Sequence, residues 1–334
     1  MAEITKENDG FPLAVLQTLT HIIYPWSPFI GIGLFMFLSR YSALVPFLVA
    51  YAIYIKLDKA HEQGSRSSAW LRNIPFWDWY TGYFPAKLLK EAELSPDNNY
   101  IFGYHPHGII ALGGFANFAS NGTGFSELFP GLQVHMLTLN LNFMVPFYRD
   151  FILFIGMASV SKESINYILN RGTGNACLIS VGGSAESLLA GPDNADLVLS
   201  KRLGFIKVAI QNGAHLVPVY NFGENSLAYQ YSPEEGTLLH IFQQVLKNYT
   251  GMTLPFFYAR GWFPNTRGVV PFDVPMTTVV GKPIPVAKNP SPTQEEIAST
   301  HAKYVAALKD LYDRNAAEYH PRRFGPPPEL RLVE

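Results

Sequence analysis

The stretch Tyr104-His105-Pro106-His107-Gly108 decides how the rest of this chain is interpreted. It closes the apolar run from Tyr100 to Tyr104, which is typical of a buried strand, and it opens a helical pattern from His107 to Ala119. Two imidazoles therefore stand at a predicted strand end, on either side of a rigid proline. Because the unperturbed pKa of histidine lies near neutrality, such a ring can take a proton from a hydroxyl group and return it. The stretch is interpreted first as part of an active site.

Outward from this stretch, short apolar runs alternate with helical periods. This alternation predicts an α/β fold, with a mostly parallel sheet flanked by helices on both faces. Further strands are predicted at Val134–Leu139, Ala176–Val181 and Ala214–Phe222, and helices at Ser161–Asn170, Gly204–Asn212, Gly236–Tyr249 and from Thr293, where Thr293 and Glu296 form a capping box. Reactive residues in such sheets gather where strands end. His107, Glu186 and Glu224 all follow predicted strand ends.

The composition excludes one class of partner. Of 334 residues, 48% are apolar and 15% are charged. The chain is therefore more apolar and less charged than an ordinary cytosolic enzyme. With 25 basic and 26 acidic residues the net charge is -1, so there is no broad positive field to attract nucleic acid. The single cysteine, Cys177, excludes an internal disulfide and a cysteine metal cluster.

A long apolar stretch near the N-terminus predicts a membrane anchor. From Phe29 to Ile55 only Arg40 is charged, and about 20 apolar residues in a helix cross a bilayer. The interruption at residues 39–42 leaves two forms open, a single tilted span or a hairpin of two halves, beside the alternative of a hairpin buried in a soluble fold. Basic residues follow the stretch, which predicts that the C-terminal part faces the cytosol. They are Lys56, Lys59, Arg66 and Arg72.

The predicted organisation is one anchor and one catalytic domain. The segments are an N-terminal tail at 1–28, the membrane anchor at 29–57, an aromatic interfacial connector at 58–96, the catalytic domain at 97–320 and a flexible proline-containing tail at 321–334. The apolar face of the helix at 236–249 is expected to pack on the sheet, with the membrane surface as the alternative.

Other chemistries compete for the two histidines. A metal site would need further ligands, and the downstream histidines form no HxxxH pair. A nucleophile at Ser184 would need the G-x-S-x-G elbow, whose last glycine is replaced by Glu186. A purely structural role in a tight turn also stays open. The favoured interpretation is general-base chemistry, in which an imidazole deprotonates a hydroxyl that attacks an activated acyl group.

Several blocks together resemble the type 2 diacylglycerol acyltransferase family, whose relatives act on monoacylglycerol and wax alcohols. The match runs from about residue 70 to residue 315. Its blocks are Tyr83-Phe84-Pro85, HPHG at 105–108, PFYRD at 146–150, GGSAES at 182–187, RLGFIKVAIQNG at 202–213, LVPVYNFGEN at 216–225 and VVGKPIPV at 279–286. Each block is weak alone, whereas all of them in order behind an apolar hairpin are specific.

This resemblance implies a membrane enzyme of the endoplasmic reticulum, and of lipid droplet surfaces, that joins a fatty acyl group from acyl-CoA to diacylglycerol. Acyl-CoA and a neutral glycerolipid are the implied partners, and no metal or redox cofactor is implied. A monoacylglycerol or long-chain-alcohol acyltransferase and a non-catalytic membrane lipid-binding protein remain alternatives. The acyl-chain preference and the oligomeric state are left open.

The resemblance also points to individual roles. The broader glycerolipid acyltransferases pair their histidine with an aspartate five residues on, where this chain has Ile110 and Leu112, so Glu186 is the expected replacement that orients the ring. His107 is favoured as the base, because a helix beginning there would disfavour the imidazolium form. His105 is the alternative base.

The remaining site residues are expected to bind substrate. Backbone amides at Gly108, Gly182 and Gly183 are candidates to stabilise an oxyanion. Arg149, Arg202 and Lys207 are candidates to hold the phosphates of CoA, with Arg260 and Arg267 behind them. Glu224 and Asn225 are expected to shape the site.

Overall fold

The computed structural model describes residues 11–231, 233–250, 256–261 and 266–333. The helices are α1 Phe11–Leu38, α2 Val45–Leu57, α3 Ala69–Arg72, α4 Phe76–Gly82, α5 Leu112–Gly114, α6 Phe125–Leu128, α7 Tyr148–Phe154, α8 Lys162–Leu169, α9 Ser184–Ser187, α10 Gly204–Asn212, α11 Leu238–Thr250 and α12 Gln294–Tyr319. The strands are β1 Lys87–Lys90, β2 Tyr100–His105, β3 Gln133–Thr138, β4 Ala158–Ser159, β5 Asn175–Ser180, β6 Asp196–Val198, β7 His215–Phe222, β8 Tyr229–Tyr231, β9 Phe256–Arg260, β10 Arg267–Gly268, β11 Thr277–Val280 and β12 Arg331–Val333.

The main sheet has seven strands in the order β1-β11-β7-β2-β5-β3-β4. Strands β7, β2, β5, β3 and β4 are parallel to one another, whereas β11 runs antiparallel to β7 and β1 runs parallel to β11. The prediction of an α/β fold with a mostly parallel sheet is confirmed. Strand β2 lies between β7 and β5, so the end that carries His105 sits near the middle of the carboxyl edge.

Helices cover both faces of this sheet. Successive residues of β2 point to opposite faces, and Ile101 and Phe102 accordingly belong to different apolar clusters. The cluster around Ile101 contains Ile165 of α8 and Leu308 of α12, while the cluster around Phe102 contains Phe118. Each fully buried side chain of this size stabilises the fold by about 1.5–3 kcal/mol.

Two of the predicted helices begin as the sequence indicates. Ser161 caps α8 by accepting a hydrogen bond from the backbone N–H of Ser164. Thr293 and Glu296 form the predicted capping box at the start of α12. Helix α12 packs along β7, the neighbour of β2. Its residue Tyr304 therefore lies against the end of β2, where the Tyr304 hydroxyl contacts His105.

The helix predicted from His107 to Ala119 is wrong at its start. Residues 106–111 form an irregular segment, here called the histidine loop, and α5 begins only at Leu112. Gly108 has a φ of 57° and Ala111 a φ of 53°, both in the left-handed region that a right-handed helix excludes. A side chain at position 108 would also place its Cβ 2.6 Å from Cγ of Glu224. His107 therefore does not lie at the N-terminus of a helix, and the predicted effect of a helix dipole on its ring is absent.

The N-terminal region is more regular than predicted. Residues 11–28, assigned to the tail, belong to α1, while residues 1–10 lie outside the described part of the chain. The connection at 39–44 between α1 and α2 falls where the sequence predicted an interruption. Among the described residues, no helix combines the length and the apolar character needed to cross a membrane.

Helices α1 and α2 nevertheless expose many large apolar side chains. They are Leu19, Ile23, Trp26, Phe29, Ile30, Ile32, Leu34, Met36, Phe37, Val45, Phe47, Val49, Ile53, Tyr54 and Leu57. The prediction of a membrane hairpin or span stays a prediction.

Two segment assignments and one packing prediction need correction. Strand β1 is an edge strand of the main sheet, so the sheet begins inside the predicted connector at 58–96. The tail at 321–334, predicted as flexible, contains β12, which pairs in parallel with β6. The apolar face of α11 does not pack on the sheet, since Leu238 and Tyr249 are both 87% exposed while Gln243 is 2% exposed. The side chain of Leu246 lies outside the described part.

Candidate active site

The structure brings His107 to an apolar cavity of about 290 Å³ at the carboxyl edge of the sheet. Helix α1 forms one wall of this His107 cavity, and the histidine loop, β3, α7 and the segment at 182–187, here called the glycine block, form the others. Other residues that line it include Tyr24, Pro28, Ile110, Met136, Thr138, Asn142, Tyr148, Met157, Ser180, Gly183 and Ser184. A concave apolar site with a few polar groups is the usual form of a small-molecule site.

The His107 ring is held in one tautomer. Its Nδ1 lies 2.9 Å from the carbonyl oxygen of Gly108. A carbonyl can only accept a hydrogen bond, so Nδ1 carries the hydrogen and donates it. In the neutral ring Nε2 is then the unprotonated nitrogen and can act as a base. Burial lowers the pKa of His107 from its usual value of 6.5, while the Gly108 carbonyl acts in the opposite direction.

Glu186 does not orient the ring as predicted. Its Oε2 accepts a hydrogen bond from the backbone N–H of His107 at 2.8 Å, and its Oε1 accepts one from Val198 at 2.9 Å. The orienting group on the ring is the Gly108 carbonyl instead. Glu186 is 2% exposed, and burial raises its pKa to about 7, although the two N–H groups and the charge of Arg202 favour the ionised form. Its role is to hold the start of the histidine loop.

His105 lies behind the site. The side chain is fully buried, and its Nε2 lies 3.0 Å from the hydroxyl of Tyr304. That hydroxyl donates to the carbonyl of Gly103 at 3.1 Å, so the arrangement that satisfies both contacts has Nε2 of His105 donating to Tyr304. Burial lowers the pKa of His105 to about 3. His105 does not line the His107 cavity and is placed to support the end of β2.

Glu224 holds the other end of the histidine loop. Its Oε1 accepts from the backbone N–H of Leu112 at 2.8 Å, and its Oε2 accepts from the N–H of Gly113 at 2.8 Å and from the hydroxyl of Tyr104 at 2.7 Å. Asn221 donates to the same hydroxyl at 2.8 Å. Burial raises the pKa of Glu224 to about 7, against these donors. Two buried carboxylates thus hold the loop from both ends.

Arg149 is not available to bind phosphate. The side chain is fully buried; its Nη2 lies 2.5 Å from Oδ2 of Asp58, and its Nε donates to the carbonyl of Phe143 at 2.9 Å. The guanidinium also stacks over Tyr54. The PFYRD block therefore ties α7, which contributes Tyr148 to the cavity, to the residue that follows α2.

Replacing Asp58 by alanine is expected to destabilise the protein by up to about 3–5 kcal/mol, because the buried Arg149 charge would lose its shorter ion pair and keep only the 3.4 Å ion pair with Asp150. Thermal unfolding of the purified protein measures the effect, with the exposed Asp313→Ala variant as the matched control. Removing both charges, as Asp58→Leu with Arg149→Met, is expected to cost less than Asp58→Ala alone. An unchanged midpoint for Asp58→Ala would contradict this account of the pair.

The remaining predicted residues divide between the rim and the scaffold. Arg202 is exposed and donates from Nη2 to the carbonyl of Gly182 at 3.1 Å, which keeps a cation beside the glycine block. Lys207 is exposed on α10, and no described contact joins it to the cavity. Gly183 lines the cavity, but its amide donates to Ser180. Asn225 donates to the carbonyl of Asn194 at 2.8 Å and lies outside the His107 cavity.

The two further candidates for phosphate binding, Arg260 and Arg267, both contact other residues of the protein. Arg260 donates to the hydroxyl of Tyr83 at 3.0 Å, and Arg267 stacks over Tyr258. Sequence reasoning missed Tyr304, Asn221 and Tyr24. Tyr304 falls within the helix predicted from Thr293, but nothing in the spacing of these three residues marks them as part of a site.

Comparison with known proteins shows the family. A family model described as Diacylglycerol acyltransferase matches residues 34–333. Diacylglycerol O-acyltransferase 2A of Umbelopsis ramanniana is 45% identical over 96% of this chain and 90% of its own length. The 2-acylglycerol O-acyltransferase 1 of Bos taurus is 40% identical over 92% and 91%, and the acyl-CoA wax alcohol acyltransferase 1 of Homo sapiens is 40% identical over 86% and 87%.

The chain belongs to the diacylglycerol acyltransferase family, and the resemblance inferred from its motifs is confirmed. The prediction that it is an enzyme, an acyltransferase of this family, is confirmed with it. Among solved structures, the 1-acyl-sn-glycerophosphate acyltransferase PlsC of Thermotoga maritima is 14% identical, with a TM-score of 0.39 over 90% of this chain and 96% of its own. We draw nothing from so distant a likeness.

Proposed function

We propose that this chain is a membrane-bound O-acyltransferase that transfers a fatty acyl group from acyl-CoA to diacylglycerol, forming triacylglycerol. The observation that carries the proposal is the His107 ring, which lines an apolar cavity with Nδ1–H on the Gly108 carbonyl and Nε2 left as the base. A thioester is already activated, so a positioned base and a bound acceptor are enough for direct attack.

The proposed reaction proceeds in two proton transfers at one atom. Nε2 of His107 takes the hydroxyl proton of the acceptor as the acceptor oxygen forms a bond to the thioester carbonyl carbon. The tetrahedral intermediate then collapses, the carbon–sulfur bond breaks, and the imidazolium returns the proton to the departing CoA thiolate. No acyl-enzyme is formed and no metal or redox cofactor takes part.

The names of the relatives support the substrates. Proteins from Umbelopsis ramanniana at 44% and 45% identity are named diacylglycerol O-acyltransferases, which favours diacylglycerol as the acceptor. The bovine and human relatives at 40% identity are named for 2-acylglycerol and wax alcohol, so a monoacylglycerol or a long-chain alcohol is the second candidate. The name of the human relative includes acyl-CoA as the donor.

We further propose the endoplasmic reticulum membrane as the location, with the catalytic domain facing the cytosol, and lipid droplet surfaces as a second site. The exposed apolar side chains of α1 and α2 support contact with lipid. Helix α1 contributes both to that surface and, through Tyr24, Pro25 and Pro28, to the wall of the cavity. This arrangement lets a bilayer-dissolved acceptor and a water-soluble donor meet.

The proposal is tested with microsomes that contain the expressed chain, supplied with labelled oleoyl-CoA and dioleoylglycerol. Labelled triacylglycerol above the level of empty-vector microsomes is the expected result. Parallel reactions with monooleoylglycerol and hexadecanol rank the acceptors. A tenfold higher kcat/KM for hexadecanol, or no labelled neutral lipid from any acceptor, would contradict the proposal.

The pH dependence of kcat/KM is expected to reflect the lowered pKa of His107. The base works when neutral, so activity falls as the pH drops through the folded pKa, and a ring with the ordinary value would be half inactive at pH 6.5. Because burial lowers that pKa, more than half of the plateau should remain at pH 6.5. Burial raises the pKa values of both Glu186 and Glu224 to about 7, so a Glu186→Gln, Glu224→Gln double variant separates the carboxyl titrations from that of the ring. In that variant, a half-maximum at pH 6.5 or above would contradict the assignment.

A further inference from the structure

The His107 cavity contains a polar pair at the end of β3, which is the neighbour of β5 in the sheet. Thr138 is the last residue of β3, and Asn142 lies in the short helical turn at 140–144 that follows. Nδ2 of Asn142 donates to Oγ1 of Thr138 at 2.7 Å. Both side chains are partly exposed and line the same cavity as His107. The pair is therefore in reach of a bound ligand.

Hydrogen bonds within the local structure leave side-chain polar atoms of Thr138 and Asn142 available to a ligand. The carbonyl of Thr138 already accepts from Val160 at 2.8 Å, and the N–H of Asn142 donates to Leu139 at 3.1 Å. Because the Thr138 hydroxyl accepts from Asn142, its own proton is available to donate. Within the described part of the chain, Oδ1 of Asn142 has no hydrogen-bond donor. The pair thus presents one donor and one acceptor side by side.

The sheet sets the distance between this pair and the base. Strands β2 and β3 are separated by β5, so the backbones of the two strands lie roughly 10 Å apart. The side chains of His107, Thr138 and Asn142 extend from these strand ends into one cavity of about 290 Å³, which has room for a three-carbon backbone with a hydrogen bond at each end. A glycerol backbone has oxygens on neighbouring carbons, whereas a long-chain alcohol has one oxygen only.

We propose that Thr138 and Asn142 bind a second oxygen of an acylglycerol acceptor, an ester carbonyl or a free hydroxyl, while His107 takes the proton of the reacting hydroxyl. This inference rests on the proposed function and narrows it, because it assigns the site to acylglycerols over simple alcohols. A long-chain alcohol has no second oxygen to offer the pair. A site built to bind a substrate oxygen discriminates against an analogue that lacks it.

The test uses Asn142→Leu and Thr138→Val, which preserve side-chain size and remove the polar atoms. Microsomal kcat/KM is measured for dioleoylglycerol, monooleoylglycerol and hexadecanol. The ratio of kcat/KM for dioleoylglycerol to that for hexadecanol is expected to fall about 10- to 100-fold in each variant. Asn170→Leu, the same change at an exposed helix end, is the matched control and should leave the ratio unchanged.

Two results would overturn the inference. An equal loss of kcat/KM for all three acceptors would assign the pair to the acyl-CoA side of the cavity, and unchanged kcat/KM values for all three would leave the pair without a substrate contact. If Asn142→Leu accumulates poorly, Thr138→Val gives the same ratio measurement. Wild-type protein that acylates none of the acceptors would defeat the proposed function instead, so the two failures are distinguishable.

Discussion

Replacing His107 by alanine is expected to lower kcat for triacylglycerol formation by about 10²–10⁴-fold, which is the usual contribution of a positioned general base. The ring lines the cavity and supports no other described residue beyond its contact with Gly108, so the fold should survive its removal. The measurement is the initial rate with labelled oleoyl-CoA at saturating diacylglycerol, normalised to the amount of folded protein.

His240→Ala is the matched control for this prediction, because that histidine lies on α11 outside the site and should retain full activity. His105→Ala serves as the contrast. Since His105 is fully buried and contacts Tyr304, its removal should lower the thermal midpoint, whereas His107→Ala should leave the midpoint within a few degrees. A His107→Ala protein with wild-type kcat would defeat the general-base proposal.

The parts of this structure that depend on periodicity were predictable from the sequence. Apolar runs ending in a histidine or glycine block located strands β2, β5 and β7, and parallel alternation brought their carboxyl ends to one edge. That was enough to place His107, Glu186 and Glu224 close together. Capping residues Ser161 and Thr293 fixed where two helices begin.

The contacts of the motif residues were not predictable in the same way. A motif names Arg149 without naming its partner, and Asp58 lies 91 positions earlier in the chain. Likewise Glu186 was correctly placed near His107, but the sequence could not show that it binds the backbone instead of the ring. The left-handed conformation of Ala111, which delays the start of α5, has no local signature.

Periodicity also defines a face of a helix without saying where that face points. In α11 the apolar positions recur at helical spacing, yet Leu238, Phe242 and Tyr249 face outward while Gln243 is buried. An ordinary surface helix has the opposite orientation. Which face turns inward depends on tertiary neighbours far away in the sequence, so the packing prediction for this helix was wrong.

The histidine loop shows how the fold fixes a base without a carboxylate on the ring. Glu186 accepts the N–H of His107 at one end of the loop, and Glu224 accepts those of Leu112 and Gly113 at the other. His107 lies in irregular backbone, and Leu112 and Gly113 are the first residues of α5, where a helix supplies no partner for its own amides, so no backbone group replaces these carboxylates. Loop geometry, and with it the position of the His107 ring, therefore depends on two buried side chains that do not touch the ring.

Glu224→Ala is accordingly expected to cost at least about 3 kcal/mol of stability, because two backbone N–H groups and the Tyr104 hydroxyl would lose a buried acceptor, at about 1–3 kcal/mol for each. This loss is a large part of a typical total stability of about 5–15 kcal/mol. Thermal unfolding of detergent-solubilised protein should show a midpoint lower by about 5 °C or more.

Glu224→Gln keeps the shape and one acceptor oxygen, so its midpoint should fall between those of the wild type and Glu224→Ala. Glu235→Ala, an exposed glutamate in a described segment, is the matched control and should not shift the midpoint. Both Glu224 variants should also be less active, because the histidine loop would no longer position the His107 ring. This loss should be seen even at temperatures where the protein is fully folded. If instead Glu224→Ala kept the wild-type midpoint and lost only kcat, Glu224 would have to act on the reacting groups, and the account of a loop held by two buried carboxylates would be wrong.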